Sequence, residues 1–448
     1  MDRRFFLKAT TSAFVGLSAS GCVIRPPLLA DAPYTRAIGY GALVPDAEGL
    51  LDLPEGFSYR VLSSLGDAMS DGARVPDKAD GMGCFDLGDG RLALVRNHEL
   101  VSTDESGGAF ELGFGAKDGV LVPGGTTHLV LDRDSLEVTD QFRSLGGTIR
   151  NCSGGITPWG SWLTCEESVT GPGQKYGEGL NKNHGWVFEV PAAQTGLVEP
   201  APLIAMGRFN HEAACVDPAT GYVYLTEDRE DSVLYRFIPS ELGNLSRGGR
   251  LQAMKVEGVT DLRNWTDKSV AVGPVGQVSW VDLDGVEAPK DDLRYQAAAK
   301  GASIIARGEG IHMGDGEAFV CSTSGGSAGL GQIFKLALSA SGDEDRLELF
   351  FESVSHHQFN FGDNLTVAPN GHLVVCEDQY TVNVDNHLRG ITVDGFAYPI
   401  ARLNLQTELA GACFSPDGKT LFVNVYAPTK TLAITGPWDQ FNAGLITV

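Results

Sequence analysis

The chain has 448 residues, a formal net charge of −23 and a sequence pI near 4.7. A chain this acidic repels nucleic acid and anionic membrane surfaces, so neither is an expected partner. Glycine is abundant, at 57 residues, and short apolar runs broken by turns outnumber helical patterns, which points to an all-β chain.

The chain opens on Met1-Asp2-Arg3-Arg4-Phe5-Phe6-Leu7-Lys8, followed by a modest apolar run from Ala9 to Ser20. An arginine pair in this setting reads as a twin-arginine export signal, which implies the twin-arginine translocase as a partner and a periplasmic or secreted destination. The run is too short for a permanent bilayer-spanning helix. Ala30-Asp31-Ala32 fits a cleavage site, and Ala19-Ser20-Gly21-Cys22 leaves a lipid anchor at Cys22 open. Residues 1–32 are therefore set apart from a single folded domain over 33–448.

Beyond a loop-rich lead-in from Asp31 to Asp52, one pattern recurs: a polar start, a short apolar strand, a glycine turn, a second apolar strand, a polar end. The first copy runs from Asp80 through Cys84 and the Asp89-Gly90 turn to Asn97-His98-Glu99. The second is Asn151-Cys152, then the Pro158-Trp159-Gly160 turn, then Trp162 to Cys165 and Glu166-Glu167. The third runs from His211-Glu212 to Glu227-Asp228, and the fourth from Arg307 and Glu309 to Thr323. The fifth runs from Asp363-Asn364 to Glu377-Asp378, and the sixth follows Glu408 and ends at Asn424. Further strands are expected at 128–131, 186–190, 233–238, 333–338, 400–405 and 432–435. Repeated antiparallel groups of this kind suit a six-bladed β-propeller; two packed sheets are the rival. Residues 241–303 read as an insertion, with a helix over 291–301 and with Trp265 and Trp280 packing it against the outer blades.

In a propeller the polar ends of all units meet at one mouth. The candidates collected there are Glu99, Cys152, Glu166, Glu167, Glu212, Asp228, Glu309, Asp363, Glu377 and Asp378, with His98 and His211 able either to ligate or to orient carboxylates. Converging carboxylates take up protons or bind cations. Oxygen ligands suit calcium, and a thiolate among them favours a transition metal such as iron. Cys84, Cys215, Cys321, Cys376 and Cys413 lie in apolar runs and read as buried small hydrophobes. Arg307 is a fixed cation where other units place acids: an internal ion pair with Glu309, or an anion clamp matched to phosphate.

The pieces Arg96-Asn97-His98-Glu99, Asn151-Cys152 through Glu166-Glu167, Gly207-Arg208-Phe209-Asn210-His211-Glu212, Arg307-Gly308-Glu309-Gly310, Asp363-Asn364-Leu365-Thr366 and Cys413 to Gly418 together resemble the PhoX-type alkaline phosphatases, the DUF839 family, over nearly the whole chain. The resemblance implies a six-bladed propeller, twin-arginine export, and an iron and calcium cluster that hydrolyses small-molecule phosphate monoesters. It assigns Cys152 and Glu167 to iron, Glu212, Glu309 and Asp363 to the rest of the cluster, and Arg307 to the phosphate, with Cys165 as the alternative thiolate. The chain departs from longer members in reading Arg307-Gly308-Glu309-Gly310 and in ending its fifth unit Cys376-Glu377-Asp378. Two alternatives are a calcium-dependent lactonase and a non-catalytic exported propeller with structural metals. A monomer is expected.

Overall fold

The computed structural model describes residues 38–266, 268–339 and 344–443; the export segment, 1–32, and Cys22 lie outside them. The described chain is all-β and propeller-like. Each repeated unit begins with a hairpin whose first strand lies innermost. The innermost strands are Ala79–Asp86, Asn151–Ile156, His211–Val216, Gly308–Met313, Gly362–Val367 and Leu409–Phe414. Each pairs antiparallel with the next strand along the chain: Arg91–His98, Ser161–Glu166, Val223–Glu227, Glu317–Ser322, Leu373–Glu377 and Thr420–Val425. The turns carry glycines that adopt positive φ, such as Gly90, Gly160 and Gly418, as a tight reversal requires.

Neighbouring innermost strands touch in a closed cycle, the last (Leu409–Phe414) returning to the first (Ala79–Asp86). Glycine makes this approach feasible. A Cβ on Gly155 would sit 1.9 Å from the Ala214 carbonyl, and one on Gly411 would sit 2.3 Å from the Asp80 carbonyl. Both distances lie far inside contact, so these strands meet backbone to backbone and the axis stays narrow.

The sheets are not six separate equal blades. The first unit forms a four-stranded sheet with Gly124–Asp132 and Val138–Thr148, and the second a three-stranded sheet with Val187–Pro191. The third and fourth share one nine-stranded sheet. Strand Gly273–Asp282 joins them, pairing with Gly249–Val256 on one side and Arg346–Glu352 on the other. The stretch 241–303, expected as an excursion, is thus largely sheet. Its helix is Leu293–Ala299, shorter than expected and followed by Gly301 at φ +88°. Trp280 packs inward, its indole N–H on Asp345 Oδ2 at 2.9 Å, whereas Trp265 remains partly exposed.

In the fifth unit the third strand is His387–Ile391; the expected 400–405 strand is the fourth, Ala397–Leu403. The sixth sheet is completed from the other end of the described chain, by Ser58–Ser64 pairing with Lys430–Thr435. That pairing ties an early strand to the last one and leaves no open seam there, while Leu43–Val44 and Leu51–Pro54 extend the fifth unit's sheet.

Candidate active site

In five hairpins the strand register breaks at the same place. Ala79 pairs with His98 and Met82 with Arg96, so two residues of the inner strand face one of its partner. The same bulge follows Asn151, His211, Gly308 and Gly362. A bulge re-aims the side chain it carries. The first bulged residues are Asp80, Cys152, Glu212, Glu309 and Asp363: five ligand-type groups, one per unit. The sixth unit has Ala410 and Gly411 there and contributes none.

A second set follows the end of each partner strand: Glu99, Glu167, Asp228, Thr323, Asp378 and Tyr426. Each gives its backbone N–H to the carbonyl of the residue that leads into the inner strand, namely Lys78, Arg150, Asn210, Arg307, Phe361 and Glu408, at 2.8–3.2 Å. Four of those lead-in residues, Lys78, Arg150, Arg307 and Phe361, hold φ near +50°, a conformation that costs energy for a side-chain-bearing residue and recurs at functional sites. Because strands reverse direction in a hairpin, both sets lie at the same end of the sheets.

The ligand atoms of Glu99, Cys152 and Glu167 lie within 4.8 Å of one another, as do those of Glu212, Glu309 and Asp363, and those of Asp363, Asp378 and Glu408. Of the residues expected from sequence, Glu99, Cys152, Glu167, Glu212, Glu309, Asp363 and Asp378 are therefore brought together in these groups. Asp228 joins through Arg307. Glu166, Glu377, His98 and His211 are not brought into them. The reason is alternation: each is the immediate neighbour of a clustered residue, so its side chain leaves the backbone on the other side.

Those four instead bond to groups outside the clusters, although His211 Nδ1 is left without a hydrogen bond among the described residues. The Glu166 carboxylate accepts from Ile149 N at 2.8 Å and Gly185 N at 2.8 Å, and lies 2.5 Å from His184 Nδ1. Glu377 accepts from Asn360 N and Arg389 Nε, both at 2.9 Å. His98 has Nδ1 2.9 Å from the Asp77 carbonyl and Nε2 2.9 Å from Thr127 Oγ1. His211 sets Nε2 2.9 Å from the Gly207 carbonyl and stacks on Phe209. Cys165 is buried in its strand, within an apolar cluster.

Sequence reasoning passed over Asp80, Arg150, Tyr380, Tyr426 and Glu408. Asp80 is buried, lies 3.5 Å from the Cys152 thiol at Oδ2, and has no hydrogen bond to Oδ1 among the described residues. Its signal was available, since it occupies the same place in its unit as Cys152. Arg150 donates from Nε to Glu99 Oε1 at 2.8 Å and also pairs with Glu167. The Tyr426 hydroxyl donates to Glu99 Oε2.

Charge governs this site. Burial pushes the Glu212 and Glu309 carboxyls well above the usual range; Glu309, Glu167, Asp363 and Asp80 add to the push on Glu212, and Asp228 and Asp363 to that on Glu309. Burial, then Asp80 and Glu212, likewise raise the Cys152 thiol. Glu167 is raised to about 8 by burial, against the pull of Arg150. Asp228 goes the other way: burial opposes ionisation, but Arg307 overcomes it and holds the carboxyl below its usual range.

Acids this close repel when ionised, and a bound cation removes that repulsion. The test of fit is Glu212: fully buried, with no hydrogen bond to either carboxylate oxygen among the described residues. A buried carboxylate left so bare is costly unless a proton or a cation sits on it. The donor set, carboxylate oxygens with one thiol, fits metal ions.

A stability consequence follows with a definite sign. Glu167 has its folded pKa raised from 4.5 to about 8, and Glu212 is raised as well. Between those values the folded, metal-free protein holds more protons than the unfolded chain, so its stability falls as pH rises. Chelator-treated protein is expected to unfold at lower denaturant near about pH 8 than near about pH 5, by on the order of a few kcal/mol. Equal midpoints at both would contradict this.

Arg307 donates from Nε to Asp228 Oδ1 at 2.6 Å, and from Nη2 to Glu309 Oε1 at 2.7 Å and to the Tyr380 hydroxyl at 2.8 Å. Nη1 has no acceptor among the described residues, and the side chain is 18% exposed. The ion pair with Glu309 is real, and it leaves one edge of the guanidinium available.

The family model described as alkaline phosphatase PhoX matches residues 38–137 and 128–429. Among solved structures, Pseudomonas fluorescens PhoX in complex with vanadate, a transition-state analogue, aligns at TM-score 0.68 and 18% identity, covering 89% of this chain and 98% of that one. A gluconolactonase, XC5397 from Xanthomonas campestris, aligns at TM-score 0.39 and 12% identity, covering 82% of this chain and 97% of that one. No curated protein sequence matches the chain. The match over most of the described residues places this chain in the PhoX family of alkaline phosphatases, and it is a phosphatase.

Proposed function

We propose that the chain is an exported, metal-dependent phosphomonoesterase whose active centre lies where the two sets of acids meet, at the mouth of a six-bladed propeller. The observation that carries this is Glu212, a buried carboxylate with neither oxygen hydrogen-bonded, beside a thiol and an arginine with an open edge. Taken as two blades fused edge to edge by Gly273–Asp282, the nine-stranded sheet supports a reading of six blades.

Cys152 with Glu99 and Glu167 would hold iron, since the thiolate is the soft ligand of the set. Glu212, Glu309 and Asp363, and Asp363 with Asp378 and Glu408, offer only oxygens and would hold calcium. Bound cations supply neutralisation of the ester's charge and activation of the attacking oxygen. The chain's own residues do the rest. Arg307 Nη1 takes a non-bridging phosphoryl oxygen and steadies the charge that shifts during transfer. Asp228 and Glu309 hold the guanidinium in place, so little reorganisation is needed at the moment of reaction. Arg150 spans Glu99 and Glu167 and offsets part of the repulsion between them, and a cation bound there would offset the rest.

Export by the twin-arginine translocase fits a protein folded around metals, and places it in the periplasm or outside the cell as a monomer, with Cys22 a candidate lipid anchor. The experiment is elemental analysis of natively exported protein together with an aryl phosphate assay before and after chelation. Iron and calcium bound, with hydrolysis lost on chelation and restored by both ions, is the expected outcome. Full hydrolysis by metal-free protein would end this reading.

A further inference from the structure

The fifth unit carries Tyr380 on the segment between Leu373–Glu377 and His387–Ile391. Its own hydrogen bonds hold that segment: Gln379 N to Asn386 Oδ1 at 3.0 Å, Gln379 Nε2 to the Asp385 carbonyl at 2.8 Å, and Thr381 Oγ1 to the Asn383 carbonyl at 2.7 Å. Tyr380 crosses from there to the fourth unit. Its hydroxyl oxygen accepts from Arg307 Nη2 at 2.8 Å, and its ring centroid lies 4.9 Å from the guanidinium carbon. The ring also sits edge-on to Phe361, the left-handed lead-in residue of its own unit, at 5.6 Å.

Two facts make this more than packing. The hydroxyl oxygen is used as an acceptor, yet its hydrogen finds no acceptor among the described residues. And the side chain is only partly covered, at the same end of the sheets as the open edge of Arg307. A hydroxyl that has accepted a charge-assisted bond is polarised to donate.

We propose that Tyr380 donates its hydroxyl hydrogen to a second non-bridging oxygen of the phosphoryl group, so that Arg307 Nη1 and Tyr380 Oη grip the transferring phosphate from adjacent units. The proposal rests on the phosphatase reading above and adds a substrate contact to it.

The test is Tyr380→Phe, which keeps the ring over Arg307 and deletes the hydroxyl. Expected are a roughly 10- to 100-fold fall in kcat/KM for aryl phosphates and a comparable weakening of inorganic phosphate binding, measured by calorimetry on metal-loaded protein. Metal content and melting temperature should match wild type, and the loss should be the same for good and poor leaving groups. A role confined to holding the fold would instead lower the melting temperature and leave phosphate affinity in the folded fraction alone. Unchanged phosphate binding, or a loss that tracks metal content, overturns the proposal. Phosphate binding is read without turnover, so a wild type that binds phosphate through Tyr380 yet hydrolyses nothing would sink the phosphatase reading and leave this contact standing.

Discussion

Arg307→Ala is expected to lower kcat/KM for aryl phosphates by roughly 100- to 1,000-fold while metal content stays near wild type. The guanidinium touches the Glu212, Glu309 and Asp363 group through Glu309, and it still has an edge without an acceptor among the described residues. Its loss therefore removes charge stabilisation where phosphoryl oxygens would sit. The carboxylates that would hold metal remain, and Asp228, relieved of its partner, becomes easier to protonate, because burial is then opposed only by Glu167 and Arg229. Arg307→Lys should recover little: one ammonium cannot serve Asp228, Glu309, Tyr380 and an anion in a single plane. Steady-state kinetics with elemental analysis on the same preparation reads both quantities. Undiminished turnover in the alanine variant would remove Arg307 from the mechanism; a matching loss of metal would recast it as a support for the cluster.

Glu212→Gln is expected to do the opposite: lose metal first and activity with it. Glu212 is fully buried, has no hydrogen bond to either oxygen, and feels the charges of Glu309, Glu167, Asp363 and Asp80. It therefore couples the two ends of the acidic cluster. The amide is nearly the same shape but carries no charge, so metal affinity should fall at least about 100-fold, beyond what loss of an outer-shell partner costs. The metal-free variant should in turn show a shallower loss of stability with rising pH than metal-free wild type, since one raised carboxyl no longer titrates. Titration with calcium and iron, paired with denaturant curves at acid and alkaline pH, checks both. Wild-type metal affinity in the glutamine variant would exclude Glu212 as a ligand.

Much of the site was legible in the sequence because a hairpin repeat fixes offsets. Cys152 and Glu167 are far apart along their hairpin, yet the register Asn151↔Glu166 brings them together, as the reading of that stretch expected. What residue type alone could not decide was which of two adjacent polar residues faces the mouth; only the family resemblance singled out Glu167 and Glu212. Glu166 and Glu167 are chemically the same, and in His98-Glu99 and His211-Glu212 both neighbours are ligand types. The bulge and strand alternation decide among them, and neither has a residue signature here. The strand His387–Ile391 was missed because His387 and Arg389 break its apolar pattern, while Glu377 supplies partners for both. The pairing of Ser58–Ser64 with Lys430–Thr435 is a contact between distant segments that local pattern does not encode. Tyr380 escaped notice for a related reason: it lies in a turn-rich segment without periodicity, and its meaning comes from Arg307, which belongs to another unit.

The account stands on metal ions gathered where the inner strands begin. Anomalous diffraction from crystals of natively exported protein, collected either side of the iron edge, locates them directly. The expected map has an iron peak against the Cys152 sulfur and Glu167, and further cation density between Glu212, Glu309 and Asp363, within reach of Arg307. Iron absent from Cys152, with the Glu212 carboxylate bare in an active preparation, would contradict it.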